Sequence, residues 1–324
     1  MDKSKIAREY RKKYGIDVPT RRLAKLMSEE NPDIFSLETA RRALRYIEGK
    51  SGDKERKKVT NMIESPIRPY NPYKFPEFEE RKREPFVLPL ACNNILVLAD
   101  LHCPYTHTPS LNKAIDYGLS KEVNTILLLG DVLDNHNISS YCPDPTRRNQ
   151  EEEFLICKEM LKRFRGIFPK ATIYWAKGNH DIRWEKYIQR FGKDISQINH
   201  FRIEEVLKLH EERIITIDDK TLIKAGRFNF HHGHQFFGRF APTYAAKALW
   251  DKTNLEIMIG HCHTHTKYEK VTPDGIRKTF ILGCLSETGM NVDYNPIVNQ
   301  YRRGFGHVII NSDGSFEAEM IACD

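Results

Sequence analysis

Five short clusters of Asp, Asn and His residues occur along this chain, each at or just after a run of apolar and β-branched residues. In chain order they are Asp100-Leu101-His102, Gly130-Asp131-Val132-Leu133-Asp134, Gly178-Asn179-His180-Asp181, His232-Gly233-His234 and Gly260-His261-Cys262-His263. Apolar runs of this length are typical of buried strands, and strands from distant parts of a chain can end at one edge of a sheet. Carboxylate, amide and imidazole groups together suit first-row divalent metals. The five clusters therefore favour a hydrolase with a two-metal site.

Strand and helix patterns alternate from residue 94 onward. Strands are predicted at 94–99, 125–129 and 171–176, with helices at about 110–122 and 150–166 between them. Further strands are predicted at 213–217, 221–225, 227–231, 256–259, 278–282 and 307–311. The alternation predicts an α/β domain over residues 91–324.

Residues 1–50 predict a small, separate helical module. Gly15 ends the first helix, Asn31-Pro32 interrupts the pattern after the second, and Ser36 is a candidate N-cap of the third. In that third helix the residues expected to face inward are Leu37, Ala40, Leu44 and Ile47. The residues expected to face outward are Arg41, Arg42 and Arg45.

The positive charge of the chain is concentrated in its first part. The formal net charge is +7; residues 1–60 hold 17 Lys/Arg and 10 Asp/Glu, and the remaining residues hold 34 of each. Two short helices followed by one with exposed arginines suit a helix-turn-helix module that contacts nucleic acid through Arg41, Arg42 and Arg45. The alternative is a three-helix module that docks a protein, with arginines that only face solvent.

Residues 51–90 predict a linker. The segment 51–58 is almost wholly charged, and six prolines follow between Pro66 and Pro89. Prolines at that density favour an extended segment over a helix or a packed strand.

Neither a membrane span nor a secretory signal is predicted. The apolar runs, such as 95–99 and 125–129, are far too short to cross a bilayer, and no apolar stretch follows the basic N-terminus. The seven cysteines include no Cys-x-x-Cys pair, and an odd number cannot all pair within the chain. We therefore expect a cytoplasmic protein without a membrane partner.

The ordered motifs D-x-H, G-D-x-x-D, G-N-H-D, H-G-H and G-H-x-H resemble those of the calcineurin-like metallophosphoesterases. The resemblance covers about residues 94–310 and implies a four-layer α/β/β/α sandwich with a dinuclear site at the strand ends. By motif position, it implies that one metal takes Asp100, His102, Asp131 and His263. The other would take Asp131, Asn179, His232 and His261. The residues alone do not decide whether His231 or His234 replaces His232.

The resemblance also implies how such a site works. Two ions neutralise phosphate charge and activate a water for in-line attack, so that phosphate esters are hydrolysed by metal-activated hydroxide. It marks His180 as the acid that protonates the leaving oxygen, with Asp134 as its orienting carboxylate. Arg183, three residues after His180, is a candidate phosphate-binding side chain. Mn²⁺ is the expected metal, with Fe²⁺ or Zn²⁺ as alternatives.

One departure from the motifs of this superfamily restricts the class of substrate that we expect. The Ser/Thr protein phosphatases of this superfamily carry an arginine directly after the second Asp of the G-D-x-x-D motif, and this chain has Asn135 there. That difference counts against a phosphoprotein substrate. The stretches around residues 134–139, 151–169, 179–183 and 295–306 resemble phosphoesterases encoded by phages and prophages.

Three hypotheses follow. The first is a metal-dependent phosphodiesterase that acts as a nuclease on DNA or RNA, with the basic module as a tether. The second is a phosphatase or phosphodiesterase for small nucleotides or phosphoproteins, with a protein-docking module. The third is a catalytically silent DNA-binding protein, which is disfavoured because every ligand position is filled.

Overall fold

The computed structural model describes residues 2–15, 17–48, 83–139, 149–238, 243–287 and 301–323. The chain divides into two compact units, Met1–Arg81 and Lys82–Asp324. Most of the predicted linker, up to residue 82, lies outside the described residues, so its extended form stays a prediction. Its last part, 83–90, contains a short strand that belongs to the second unit.

Three helices form the described part of the first unit: α1 (Lys3–Tyr14), α2 (Thr20–Glu30) and α3 (Leu37–Ile47). The carboxylate of Asp2 caps the first helix by accepting from the Ser4 amide, and Gly15 ends it with a φ of 84°. Ser36 caps α3 by accepting from the Thr39 amide. These caps set the helix boundaries where the sequence pattern places them.

In the described part of the first unit, the core is apolar except for one charged side chain. Leu23, Met27 and Leu44 are fully buried together, and Arg11 is only 3% exposed among them. The Arg11 guanidinium donates to the carbonyls of Gly15 and Val18 and pairs with Glu48 at the end of α3. Arg11 thereby joins the first helix to the third.

The prediction for α3 was right for three inward residues and wrong for the fourth. Ala40, Leu44 and Ile47 are buried, whereas Leu37 is 46% exposed. Leu37 is the first residue of the helix and lies between the exposed residues Ser36 and Glu38.

Twelve strands form two six-stranded sheets in the described part of the second unit. In chain order they are β1 (Phe86–Val87), β2 (Asn94–Leu98), β3 (Thr125–Leu128), β4 (Thr172–Ala176), β5 (Ile214–Ile217), β6 (Ile223–Ala225), β7 (Phe228–His231), β8 (Ile257–Ile259), β9 (Thr266–Thr272), β10 (Gly275–Ile281), β11 (Gly304–Ile310) and β12 (Phe316–Ala322). The first sheet has the order β12-β11-β2-β3-β4-β5, and the second has β1-β6-β7-β8-β10-β9.

Parallel pairing brings the predicted ligand clusters to common edges. Strands β2 to β5 pair in parallel, so the clusters after β2, β3 and β4 leave the same edge of the first sheet. In the second sheet β7 and β8 are also parallel, with His231 opposite Ile259, so their following clusters are neighbours. The topology therefore gathers all five clusters.

The same part of the second unit contains five helices: α4 (Thr108–Ser120), α5 (Gln150–Ile167), α6 (Arg183–Phe191), α7 (Ile203–Val206) and α8 (Ala245–Thr253). Alternate residues of β2 face two cores: Leu96 and Leu98 pack with α4 and α5, whereas Val97 packs against the other sheet with Phe230. Helix α8 covers the outer face of the second sheet through Leu249. These packed layers confirm the predicted α/β/β/α sandwich.

The remaining differences from the predicted elements concern additional helices and strands. Helices α6, α7 and α8 and strands β1, β9 and β12 were not predicted. Strand β9 is largely exposed and β12 alternates exposed with half-buried residues, so neither carries a continuous apolar run.

Within the described residues, no helix has the length and apolar character needed to cross a membrane.

Candidate metal centre

Five of the seven predicted ligands lie in left-handed backbone just beyond the strand ends. The φ angles of Asp100, His102, Asp131, His261 and His263 lie between 46° and 65°. Because β2 ends at Leu98, the loop backbone and not strand alternation directs the side chains of Asp100 and His102. Such conformations are unfavourable for residues other than glycine and cluster at functional sites.

The loops that carry the first two clusters run side by side. The amides of Asp100 and His102 donate to the carbonyls of Gly130 and Asp131 at 3.0 and 2.9 Å. The amide of Cys103 continues the pairing to Val132 at 2.8 Å. This backbone pairing fixes the distance between the two carboxylate-bearing loops.

One group of close ligands consists of Asp100, His102 and His263, all buried. The Nε2 of His263 lies 3.0 Å from an oxygen of Asp100, and the Nε2 of His102 lies 3.9 Å from the same oxygen. The His102 nitrogen is also 4.0 Å from Asp131. These residues match the first metal position implied by the resemblance, with Asp131 between the two positions.

A second group consists of Asp131, His232 and His261. The Nε2 of His232 lies 3.1 Å from an oxygen of Asp131 and 3.2 Å from the Asn179 carboxamide oxygen. The Nδ1 of His232 donates to the Leu129 carbonyl at 2.9 Å, which orients Nε2 toward this group. The structure thus brings Asn179 into the second predicted set.

The neighbours of His232 point elsewhere. The Nδ1 of His231 accepts from the Gly233 amide at 3.0 Å, and the Nε2 of His234 lies 3.4 Å from Asp219. The structure therefore places His232, and neither of the two competing histidines, beside Asp131.

Electrostatics at this centre favour positive charge. Burial alone would lower the pKa of His232, but the nearby Asp131 carboxylate outweighs burial and raises that pKa to about 10. A proton held this way must leave before Nε2 can bind a metal, so metal binding here releases a proton.

One buried imidazole nitrogen without a hydrogen-bond partner tests whether these residues suit a metal ion. The Nε2 of His102 is buried and has no hydrogen-bond partner among the described residues. It faces two carboxylates, Asp100 and Asp131, at about the separation that one shared cation would span. Buried polar atoms are normally paired, so this orphan nitrogen fits a divalent ion.

Two glycines make room for the ligands. A Cβ at Gly178 would lie 2.2 Å from an oxygen of Asp131, and one at Gly130 would lie 2.3 Å from the His232 ring. Gly130 also has a φ of 88°. Both positions therefore need glycine, which explains two of the glycines in the motifs.

The carboxylate of Asp134 serves two imidazoles with one oxygen. That oxygen lies 2.8 Å from His102 Nδ1 and 3.1 Å from His180 Nδ1. Burial would raise the pKa of Asp134, but the hydrogen bonds from both rings outweigh burial and hold this pKa below its ordinary value. Asp134 therefore orients a predicted ligand as well as the predicted acid, and only the second of these roles was predicted from the sequence.

His180 and Arg183 form the more open side of the centre. The His180 amide donates to Asp131 at 2.8 Å, and its Nε2 lies 4.0 Å from the other oxygen of that carboxylate. The guanidinium of Arg183 donates to His180 Nε2 at 3.0 Å and to the Asp134 carbonyl at 2.9 Å. Both predicted residues thus lie together beside the ligand groups.

Asn135 faces away from the centre into the protein. It is fully buried, donates to the His180 carbonyl at 2.9 Å and accepts from Gln150 at 2.7 Å. Its amide donates to the buried carboxyl of Glu153 at 2.6 Å. Asn135 therefore positions the loop of His180 and offers no phosphate-binding group.

The role of Asp181 was not predicted from the sequence. Its buried carboxylate accepts from the amides of Asp131, Leu133 and Gly178 and from the indole of Trp175, at 2.7 to 3.0 Å. Burial and the negative charge of Asp131 raise the pKa of Asp181. Asp181 joins the loop of the second cluster to that of the third. The sequence did not reveal this role, because the last Asp of G-N-H-D looks the same as a metal-ligand Asp.

Arg41, Arg42 and Arg45 belong to the first unit and are not part of this centre. Arg42 and Arg45 are exposed, and Arg41 is half-buried. Their predicted role in nucleic-acid binding stays a prediction.

Among the described residues, potential ligands form three close groups, of which the third, His102, Asp131 and His180, includes the predicted acid; the two groups made only of predicted ligands predict two bound ions per chain. We expect metal-depleted protein reloaded with Mn²⁺ to hold two ions, and His261→Ala to hold one, because His261 contributes only to the second group. Inductively coupled plasma mass spectrometry after gel filtration measures the ratio. His234→Ala is the matched control and should retain both ions; absence of an ion in that control would contradict the placement of His232.

The buried Glu153 predicts a pH dependence of stability. Burial raises the pKa of Glu153 to about 8, and the negative charge of Asp134 acts in the same direction. A carboxyl with a raised folded pKa stabilises fully below its unfolded pKa and loses that contribution as the pH rises through the folded value. Metal-free wild type should therefore lose stability relative to Glu153→Gln between about pH 5 and about pH 9, on the order of 2–4 kcal/mol.

Urea unfolding at several pH values measures that difference. Glu152→Gln changes an exposed neighbour on the same helix, and its unfolding should follow the pH dependence of wild type. Parallel curves for wild type and Glu153→Gln would show that Glu153 is not titrating in this range.

Comparison with known proteins agrees with the site. Over residues 94–293, more than half of the chain, the sequence matches the family described as calcineurin-like phosphoesterase. No curated protein matches the chain. Among solved structures, the chain is similar to the crystal structure of Chaetomium thermophilum Vps29, with 12% identity and a TM-score of 0.34 over 71% of this chain and 97% of that one. A likeness this distant carries no argument about function.

The family match confirms the resemblance seen in the ordered motifs, while the likeness to phage-encoded members stays a prediction. It supports a metal-dependent phosphoesterase whose buried Asp and His groups are compatible with a dinuclear site. The chain belongs to the calcineurin-like phosphoesterase family.

Proposed function

We propose that this protein is a nuclease, a dinuclear-metal phosphodiesterase that acts on DNA or RNA. The observation that carries the proposal is the position of His180 and Arg183 beside the buried Asp and His groups. That arrangement offers a proton donor and a cation next to the place where a phosphate would bind. The basic first unit supports a polyanionic substrate.

The residues that would hold one ion are Asp100, His102, Asp131 and His263, and those that would hold the other are Asp131, Asn179, His232 and His261. When bound, such ions neutralise phosphate charge and activate water. Mn²⁺ is the ion we propose, because carboxylate, amide and imidazole ligation accommodates it.

His180 would supply the proton to the leaving oxygen. Its Nδ1 lies against the carboxylate and the carbonyl of Asp134, so the ring is held with Nε2 toward the centre. The negative carboxylate stabilises the positively charged imidazolium that the transfer requires.

Arg183 would bind a phosphate oxygen of the substrate. In this structure its guanidinium donates to His180 Nε2 and to the Asp134 carbonyl. A phosphate in the centre offers the guanidinium a charged acceptor, which forms stronger hydrogen bonds than a neutral ring nitrogen. Once the guanidinium donates to the phosphate, it would no longer donate to His180 Nε2. That nitrogen could then hold a proton toward the leaving group.

The exposed arginines of α3 would contact the nucleic acid backbone. The side chain of Arg42 is 81% exposed, and its nearest carboxylate, Glu38, lies 3.8 Å away. A surface pair of this kind is weak, so a phosphate can replace the carboxylate at little cost. The module would thereby raise the local concentration of substrate.

Removal of the proton donor tests the reaction. We expect His180→Ala to lower Mn²⁺-dependent cleavage of end-labelled single- or double-stranded DNA or RNA by about 10²- to 10⁴-fold, because general acid catalysis contributes that much. Metal content is measured beside the rate, so that a missing proton donor is separated from a missing ion.

His200→Ala, which changes an exposed histidine of the same unit, is the control and should cleave as wild type does. Hydrolysis of bis(p-nitrophenyl) phosphate without cleavage of any nucleic acid would reject the nuclease and favour small nucleotides or phosphoproteins. Two bound ions with no turnover on any ester would favour the silent DNA-binding protein.

Substitution of the α3 arginines tests the tether. Arg42→Ala/Arg45→Ala should weaken binding of long nucleic acid and reduce the slope of log affinity against log salt by about 0.7–0.9 for each phosphate that is no longer neutralised. Fluorescence anisotropy over a salt series measures both quantities.

Arg8→Ala/Lys12→Ala removes the same charge from exposed positions of α1 and is the matched control. Equal reductions in affinity in the two double variants would mean that only the net charge of the module matters. An unchanged affinity in both would reject the tether and favour a protein-docking module.

A further inference from the structure

Helix α6 begins at the metal centre and presents an exposed aromatic and basic surface. Its first residue, Arg183, is the one that donates to His180. Tyr187 is 40% exposed and Phe191 is 66% exposed, and the residues directly before them, Lys186 and Arg190, are exposed as well. We call these five residues the α6 face: Arg183, Lys186, Tyr187, Arg190 and Phe191.

Helical spacing places these residues on one side. At 100° per residue they fall within about 140° of arc, whereas Glu185 lies on the opposite side and Trp184 lies just beyond the edge of the arc, next to Phe191. The indole of Trp184 donates to the Phe201 carbonyl at 2.7 Å and packs edge-on against Phe154, with ring centroids 5.1 Å apart. Trp184 therefore anchors the helix beside the α6 face, while Lys186, Tyr187, Arg190 and Phe191 stay exposed.

The two aromatic rings of the face contact each other. Their centroids lie 4.8 Å apart at an angle of 48°, and the guanidinium of Arg190 lies 5.1 Å from the centroid of Phe191. No described apolar residue covers either ring fully, since both side chains keep a large exposed fraction. Large exposed aromatic side chains next to a catalytic centre are a common mark of a binding surface.

The charge of the face is positive. Arg183, Lys186 and Arg190 lie on it, and no described carboxylate is within ion-pair distance of any of the three. Glu185, on another side of the helix, is paired with Lys177 at 2.9 Å. Two acidic groups feel the charge of the face without pairing with it: Lys186 acts on Asp219, which is itself 3.4 Å from His234, and Arg183 acts on Glu153.

We propose that the α6 face binds a single strand of nucleic acid and leads it to His180. The inference rests on the proposed nuclease function. Exposed aromatic rings stack with unpaired bases, and interleaved basic side chains bind the phosphates between them. A duplex hides the faces of its bases, so rings at this spacing would gain little from one. A protein partner would explain the rings but not three cations that have no ion pair among the described carboxylates.

Binding of a fluorescein-labelled (dT)12 oligonucleotide to the full-length, metal-free protein tests the proposal. Removal of an aromatic platform typically weakens single-strand binding by about 5- to 100-fold per stacked base. We expect Tyr187→Ala/Phe191→Ala to raise the dissociation constant by that range in an anisotropy titration. Phe191→Trp, which keeps a stacking surface, should bind as tightly as wild type or more so.

Val271→Ala is the matched control, because Val271 is 81% exposed and lies five residues along β9 from Thr266, away from the cluster that precedes that strand. It should bind (dT)12 as wild type does. Lys186→Ala/Arg190→Ala should reduce the slope of log affinity against log salt by about 0.7 for each phosphate that these side chains no longer neutralise.

The outcomes separate this proposal from the nuclease itself. If wild type cleaves nucleic acid and Tyr187→Ala/Phe191→Ala binds (dT)12 like wild type, the α6 face proposal is wrong and the nuclease stands. If wild type cleaves no nucleic acid but the double variant loses binding, the face stands and the nuclease is wrong. Tighter binding of a 12-base-pair duplex than of (dT)12, equally weakened by the double variant, would also overturn the single-strand proposal.

Discussion

The buried carboxylate of Asp181 is the interaction on which the catalytic centre depends. It satisfies three backbone amides from the loops after β3 and β4 and the indole of Trp175 within β4. Without that acceptor, four buried donors would lack a partner, and each would cost about 1–3 kcal/mol. Asp131 and Asn179 are held by these same loops, so the separation of the two ligand groups follows from a residue that does not belong to either.

The backbone of the metal centre is strained, and neighbouring hydrogen bonds offset that strain. Five predicted ligands adopt left-handed backbone, which costs free energy at each residue. The cost is offset by pairing between the loops and by acceptors such as Asp181, so the rigid sandwich holds the ligands before any ion arrives. Pre-organisation of this kind keeps carboxylates close together where their mutual repulsion would otherwise separate them.

Much of this arrangement could be predicted from the sequence, and the limits have physical causes. Apolar runs indicated β2, β3 and β4 because these strands are buried on both faces. Since the strands pair in parallel, the ligand clusters that follow them lie at one edge of the sheet. Helix α6 was missed because none of its residues is fully buried. Arg11 was missed because a charged residue resembles a surface residue until its partners, among them Glu48, are brought together by tertiary packing. The choice of His232 over its neighbours likewise required the fold, since the pattern of the strand does not distinguish the three histidines.

The shared oxygen of Asp134 has a consequence for how variants of this protein are interpreted. One carboxylate oxygen accepts hydrogen bonds from both His102 and His180. A substitution of Asp134 therefore cannot change the support of one ring without changing that of the other. A substitution there would disturb a ligand and a proton donor in one step, and the measured decrease in rate would be the product of two defects. Only variants that change one ring at a time can tell how much each contributes, and an Asp134 variant compared with them would report the cooperativity between the two.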